Sequence, residues 1–503
     1  MVVKSPWPAP EIPDVDVTAF VLRHAQRLAD APALIDGASG RTLTYGALAA
    51  GVELVAGGLA ARGFRPGDVL ALHLPNLPEF PIALHAGLRA GAVVTAASPL
   101  YTVREVAHQL RGARPRLVVS VGPLAETARA AAAEAGGVEV LELGELLALA
   151  GPPPSGRPDP RAPALLLPSS GTTGLPKLVE LTHRALVANL VQMQQPFPAL
   201  ERSRLLGLAP FFHSMGMQCV LHRGLDSGAA IVTLARFDLE ATLQAMQDHR
   251  VDQALAAPPL VAAFARHPIV GRFDLSALTL LGSGGAPLDP ELERAAAARL
   301  GCVVASGLGI TEAGPLVSCP AFSDPERVRA GTCGQLVPGT EAQVVDGELW
   351  IRSPSVFSGY RDNPEATAAT LDADGWLHTG DLAELDADGF VTITGRLKEL
   401  IKVSGFQVAP AELEAVLTSH PAVADACVAG VPDERTGERP KAWVVVSGPC
   451  DTRELYAYVE ERVAPYKKLI AIEPIDELPR TMTGKLLRRV LIERERTAVA
   501  VSP

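Results

Sequence analysis

Cysteine is scarce in this chain: six residues, Cys219, Cys302, Cys319, Cys333, Cys427 and Cys450, lie far apart and form no C-x-x-C pair. That spacing argues against a disulfide framework and against a zinc site, and the N-terminus lacks a secretory apolar segment, so a reduced, cytoplasmic setting is expected. Long apolar runs are missing too, and none approaches the roughly 18 residues of a membrane span. Positive charge is in deficit, with 45 Lys and Arg against 56 Asp and Glu and a formal net charge of -11. Such a surface repels a phosphate backbone, and nucleic acid is not expected as a partner.

What is present fits a globular enzyme: 48% hydrophobic and 20% charged residues over 503 positions, more than one hydrophobic core usually organises, so two or more domains are expected. Apolar positions at helical spacing predict helices over 17–29 and 43–61, the second stopped by Gly63 and Pro66. Strands at 68–74, 91–97 and 116–121 then alternate with helices at 80–90 and 103–111, which predicts parallel α/β layers. A proline-rich connection, 151–164, separates this part from a second run of strands at 204–209, 229–234, 253–256 and 279–282. After Gly331, short strands with D-G and P-G turns (341–345, 348–352, 390–394) predict a smaller β-rich subdomain over about 331–397. From 399 an α+β segment of about a hundred residues follows, with helices at 410–419 and 452–463 and strands at 424–431, 441–446 and 469–475.

The stretch 168–183, PSSGTTGLPKLVELTH, gathers Ser169, Ser170, Gly171, Thr172, Thr173, Gly174 and Lys177 after an apolar run. Glycines let backbone N–H groups converge on an anion, hydroxyls add donors, and the lysine adds charge; these are the parts of a polyphosphate cradle. A P-loop is excluded by Pro176, where the second glycine is required, and by Leu178, where the metal-binding hydroxyl is required. A plain Ser/Thr/Gly surface loop is the competing reading of this stretch alone.

Four further clusters have nucleotide-site composition. GSGGAP (282–287) offers Gly284, Gly285 and Ala286 as a flat wall for an aromatic base. SGLGITE (306–312) ends a strand with Ser306, Gly307, Leu308 and Gly309, then pairs the Thr311 hydroxyl with the Glu312 carboxylate, which suits a hard Mg²⁺ ion sharing phosphate oxygens. WLHTGDL (376–382) places Asp381 where a carboxylate could accept two ribose hydroxyls. GRLKELIKVSG (395–405) brings Arg396, Lys398 and Lys402 together, and PRTMTGKLLRR (479–489) ends on Lys485 after a flexible turn. Taken singly, each also reads as a tight turn or a charged surface segment.

Together, and in this order, the motifs resemble the adenylate-forming (AMP-binding) superfamily of acyl-CoA synthetases, most closely 4-coumarate:CoA ligases and medium-chain acyl-CoA ligases, over nearly the whole chain. The resemblance implies a multi-domain α/β fold: an N-terminal domain, 1–397, of two α/β layers and a β-barrel-like part, and a small α+β C-terminal domain, 398–503, hinged at Lys398. It implies that a carboxylate attacks the α-phosphorus of ATP to give acyl-AMP and pyrophosphate, after which the thiol of coenzyme A displaces AMP. By motif match, Lys485 bridges carboxylate and phosphate, Ser169, Ser170, Thr172, Thr173 and Lys177 hold phosphates, Glu312 associates with Mg²⁺, and Thr311 touches phosphate. Asp381 and Arg396 match the ribose contacts, and Gly284, Gly285 and Ala286 the adenine wall. Lys402, Ser404, Gly405 and Gln407 match the face used in the thiol step, and His213 a gate between acyl pocket and thiol.

The acyl pocket by this resemblance is Phe212, Met215, Met217, Ser283, Leu308 and Ile310, an apolar set suited to a medium acyl chain or an aromatic acid; His213, standing where amino-acid-activating relatives carry Asp, disfavours a free α-amino acid. Departures from the pattern are Pro168, Leu178, Glu180, Leu308 and Ser404. Two other readings stand beside the ligase: an adenylating enzyme that passes its acyl group to a carrier protein or an amine, and a non-catalytic nucleotide-binding regulator. Retention of Lys485, Glu312 and Asp381 speaks against the regulator.

Overall fold

A computed structural model of the chain describes residues 1–169, 177–403, 406–433, 435–448, 450–481 and 484–501. Two seven-stranded sheets carry the N-terminal part. In the first, Val93–Ala96, Val69–His73, Leu117–Ser120 and Glu139–Glu142 run parallel, with Pro163–Ser169 parallel to Val93–Ala96. Lys177–Thr182 then turns back antiparallel to Pro163–Ser169, and Gly359–Tyr360 pairs antiparallel on its outer edge. In the second, Val303–Ser306, Leu280–Ser283, Gln253–Ala256, Arg204–Gly207, Ala230–Thr233 and Pro32–Asp36 are parallel neighbours, closed by antiparallel Thr42–Thr44. Every residue of Val69–His73, Leu117–Ser120, Ala230–Thr233 and Leu280–Ser283 is buried, as expected for strands covered by helices on both faces.

The helix Phe80–Arg89 is buried all round and shares one continuous core with His183–Met193 and both sheets. Fully buried Phe80, Phe211, Leu84 and Leu88 anchor that core, each such side chain contributing roughly 1.5–3 kcal/mol. Local signals set the helix starts: the Thr102 hydroxyl and the Glu105 carboxylate form a reciprocal capping box before Val103–Ala113. The helix predicted over 17–29 ends at Val21. Two carbonyls beyond it are taken by tertiary partners, the Gly46 N–H on Ala29 and the Tyr45 N–H on Ala31. The segment Met215–His222 is a π-helix, entered over Gly216, where a Cβ would lie 2.1 Å from the Pro210 carbonyl oxygen.

The β-rich part is larger than composition predicts. Glu341–Val345, Glu348–Arg352, Leu377–Leu385 and Val391–Arg396 form an antiparallel sheet extended by Val3–Lys4 from the N-terminus. A three-stranded sheet, Leu308–Gly309, Leu316–Cys319 and Gln335–Leu336, joins it to the α/β layers. The C-terminal part has its own core, including Leu413, Leu417, Val428, Val444 and Leu455. There Val423–Asp433 and Gly437–Val446 make a long hairpin, flanked by Pro410–Thr418, Thr452–Glu460 and Arg488–Val501. No helix among the described residues is long and apolar enough to cross a membrane.

Candidate active site

Register builds the first element of the site. Asp381 and Arg396 are directly opposite one another on antiparallel strands, and Arg396 Nε lies 2.9 Å from Asp381 Oδ1. Asp381 is 2% exposed, and its second oxygen, Oδ2, is buried with no hydrogen-bond partner among the described residues. Burial pushes this carboxyl up, against the opposing pull of Arg396 and Lys485. A buried acceptor with an unused oxygen is matched chemically by a ligand hydroxyl.

Glu312, 8% exposed, lies in the single turn Thr311–Ala313. Its Oε1 accepts from the Tyr360 hydroxyl at 2.8 Å. Lys177 Nζ stands 4.7 Å over the ring of the same tyrosine. Ser169 and Lys177 are register partners on antiparallel strands; Ser170, Gly171, Thr172, Thr173 and Gly174 lie outside the described residues. Two of the departures have local partners here. Leu178 is buried with Val69, Val93, Ala113 and Leu166, and Glu180 accepts from Ser358 Oγ at 3.1 Å and Arg361 Nη1 at 3.2 Å.

The ends of two neighbouring parallel strands, Leu280–Ser283 and Val303–Ser306, present the next group, at the C-terminal edge where ligands sit in open α/β sheets. Gly307 N–H donates to the Ser283 carbonyl at 2.9 Å. A Cβ on Gly284 would meet Met215 Sδ at 3.4 Å, so the glycine wall and the methionine are adjacent. Ser283 Oγ is buried without a partner among the described residues; Ser306 is buried, Gly285 and Gly309 are exposed, and Ala286 is half-buried. Thr311 Oγ1 is 3.2 Å from Ser214 Oγ, which ties this edge to His213. His213 Nδ1 accepts the Met215 N–H at 3.3 Å, and burial first, then Lys485, push its imidazole down to about 4. It is a neutral ring.

Lys485 arrives from the C-terminal part, within electrostatic reach of Arg396, Glu399, Asp381 and His213. Burial, then Arg396, lower its ammonium, with Glu399 and Asp381 opposing. Its turn is pressed onto the N-terminal part: a Cβ on Gly484 would sit 2.8 Å from Ala257 Cβ. Under that turn lies a largely apolar cavity of about 370 Å³ lined by Phe212, Met215, Leu255, Ala257, Pro259, Arg480, Thr481 and Gly484, among others. Of the predicted acyl-pocket residues, Phe212 and Met215 line it, Met217 and Leu308 are buried in the main core, and Ile310 packs against that core.

Lys402 and Gln407 are register partners on antiparallel strands, both exposed; Ser404 and Gly405 lie outside the described residues. Lys398 is exposed in the short turn Leu397–Glu399 between the two parts. Tyr360 and Glu399 were not singled out by motif. The available signal for Tyr360 was rarity: the chain has six tyrosines.

Residues 21–361 match the family described as AMP-binding enzyme, and residues 412–485 match the AMP-binding enzyme C-terminal domain. The 4-coumarate--CoA ligase 5 of Oryza sativa subsp. japonica is 40% identical over 97% of this chain and 96% of its own length. Among solved structures, the ATP-bound RpMatB-BxBclM chimera B3 superposes with a TM-score of 0.88 at 27% identity, covering 96% of this chain and 99% of that one. The anthranilate CoA ligase AuaEII in complex with anthranoyl-AMP gives 0.87 at 26% identity, covering 97% and 99%.

Proposed function

The chain belongs to the family of AMP-binding enzymes, and from that premise we propose that it activates a carboxylic acid with ATP, releasing pyrophosphate, and passes the acyl group from acyl-AMP to coenzyme A. The observation that carries the reading is the meeting of Lys485, from one matched segment, with the Asp381–Arg396 pair and His213 of the other part. Asp381, with its unused buried oxygen, accepts from ribose hydroxyls. Gly284, Gly285 and Ala286 flank the base, while Lys177, Thr311 and the loop from Ser169 to Gly174 hold phosphates. Lys485 spans the attacking carboxylate and the α-phosphate, where charge gathers as the bond to pyrophosphate breaks.

Among the described residues no cluster of three or more His, Cys, Asp or Glu could cage a metal. Glu312 supplies a single carboxylate, which fits Mg²⁺ only if phosphate oxygens complete its shell. When bound with ATP, that ion would neutralise charge on the departing pyrophosphate. For the thiol step we assign Lys402, Ser404, Gly405 and Gln407 to the face that meets the adenylate after rotation about Lys398, with residues 1–397 and 398–503 as the moving bodies. We assign His213, a ring that burial keeps neutral, to the gate between the acyl pocket and the entering thiol.

The apolar lining supports an acid with an apolar body, aromatic and cinnamate-like or medium-chain acyl. Pyrophosphate release across a panel of aromatic, cinnamic and C6–C12 acids, with and without coenzyme A, tests the reading. Release with thioester formation for at least one class is expected. Acid-dependent release without a thioester would move the acceptor to an amine or a carrier protein, and the absence of release with every acid would overturn the ligase.

A further inference from the structure

The metal carboxylate and the phosphate-loop lysine come from distant parts of the sequence, yet one segment touches both. Gly359–Tyr360 pairs with the strand that leaves the loop, Tyr360 opposite Val179. On one side the Arg361 N–H donates to the Leu178 carbonyl at 2.9 Å; on the other, the Phe357 N–H donates to the Glu312 carbonyl at 2.8 Å. The segment is thus bonded to the base of the loop and to the turn that carries Glu312. The Tyr360 hydroxyl reaches Glu312 Oε1 at 2.8 Å, and Lys177 Nζ rests over the ring face, a cation–π contact. Phe357 meets that ring edge-on at 5.0 Å, and the Tyr360 N–H is held by Thr367 Oγ1 at 2.9 Å, so ring and hydroxyl have little freedom.

We propose that Tyr360 is a positioning residue of the nucleotide site: its hydroxyl fixes which oxygen Glu312 offers to the cation, and its ring seats the Lys177 ammonium. One side chain thereby sets the spacing between metal and phosphate partners. The inference rests on the reading of Glu312 and Lys177 given above.

The test separates hydroxyl from ring. Tyr360→Phe removes only the hydroxyl; Tyr360→Leu removes both contacts. Binding of ATP, measured by calorimetry as Mg²⁺ is varied, and Mn²⁺ affinity in the presence of ATP, measured by electron paramagnetic resonance, require no acid substrate. For Tyr360→Phe the cation concentration giving half-maximal ATP binding should rise roughly tenfold, the loss expected for a hydrogen bond to a charged group, with unchanged ATP affinity at saturating Mg²⁺. Tyr360→Leu should additionally weaken ATP binding at saturating Mg²⁺ several-fold through Lys177. Wild-type cation dependence in Tyr360→Phe, whatever its melting temperature, would overturn the proposal, and if Tyr360→Leu fails to fold the Phe variant alone decides. A wild-type protein that binds Mg²⁺ and ATP but releases no pyrophosphate with any acid would overturn the ligase reading while leaving this result to stand on binding.

Discussion

Lys485 is the residue on which the two proposed half-reactions can be tested separately. Its ammonium is half-buried near Arg396, Glu399 and Asp381 and is lowered chiefly by burial and Arg396, a setting in which a bound anion would be held by both cations. Lys485→Ala should reduce acyl-AMP formation by at least roughly a thousandfold, the scale of losing a charge that acts only in the transition state. Thioester formation from supplied acyl-AMP should fall less than about tenfold. Both are read by single-turnover assays of pyrophosphate and thioester, and equal loss in the two would remove Lys485 from the first step. The short motifs that singled out Asp381, Arg396, Glu312 and Lys485 pick out groups the fold brings within electrostatic reach of Asp381, because such chemistry demands particular residue types at short spacing. Tyr360 was not, because its role depends on a strand pairing between 179 and 360 that no local spacing encodes. Leu178 and Glu180, departures when read as motif positions, are accounted for by a small core cluster and by Arg361 with Ser358.

Among the elements, the turn around Gly484 is one close contact of the C-terminal part with the N-terminal part. Gly484 has φ of +81°, and an added Cβ would stand 2.8 Å from Ala257 Cβ and 3.2 Å from Pro259 Cδ. Gly484→Ala therefore costs about 1 kcal/mol in backbone strain and adds a clash that exists only when the two parts are docked. The expected outcome is a fall of roughly tenfold or more in kcat for acyl-AMP formation, with a melting temperature within a few degrees of wild type and thioester formation from acyl-AMP largely retained. A variant that loses both steps together with its melting transition would mean that the turn is merely structural. Elements of this kind mark the limit of the sequence reading. Buried parallel strands such as Val69–His73 and Leu280–Ser283 were legible as apolar runs between helices. The edge strand Val3–Lys4 and the π-helix Met215–His222 were not, since one depends on a partner at 341–342 and the other on the approach of Gly216 to Pro210.

At the scale of the whole molecule, the two large sheets meet across a core that contains a layer of buried histidines. His85 and His222 have ring centroids 5.1 Å apart, and both are fully buried, as is His183 within 1%. Their hydrogen bonds fit neutral rings. The Val17 N–H donates to His183 Nδ1 at 3.4 Å. Gln218, whose amide N–H donates to the Leu186 carbonyl, turns its oxygen to His222 Nδ1 at 2.6 Å, which leaves Nε2 as the unprotonated nitrogen. Burial lowers His183 to about 4 and His222 to about 3; His85 is held well below its ordinary range by burial and by the other two rings. Between these values and about 6.5 the unfolded chain binds protons that the folded chain excludes, so stability is intact above about 6.5 and falls as pH drops, by about 1.4 kcal/mol per pH unit for each such histidine. Urea unfolding at pH 7.5, 6.5, 5.5 and 5.0 should show a midpoint that is level above neutrality and declines steeply below it. His222→Asn, which keeps a donor toward Gln218 and cannot titrate, should show a shallower decline whatever its absolute stability, because one excluded proton is gone. Parallel declines in the two proteins would place the acid sensitivity outside this histidine layer.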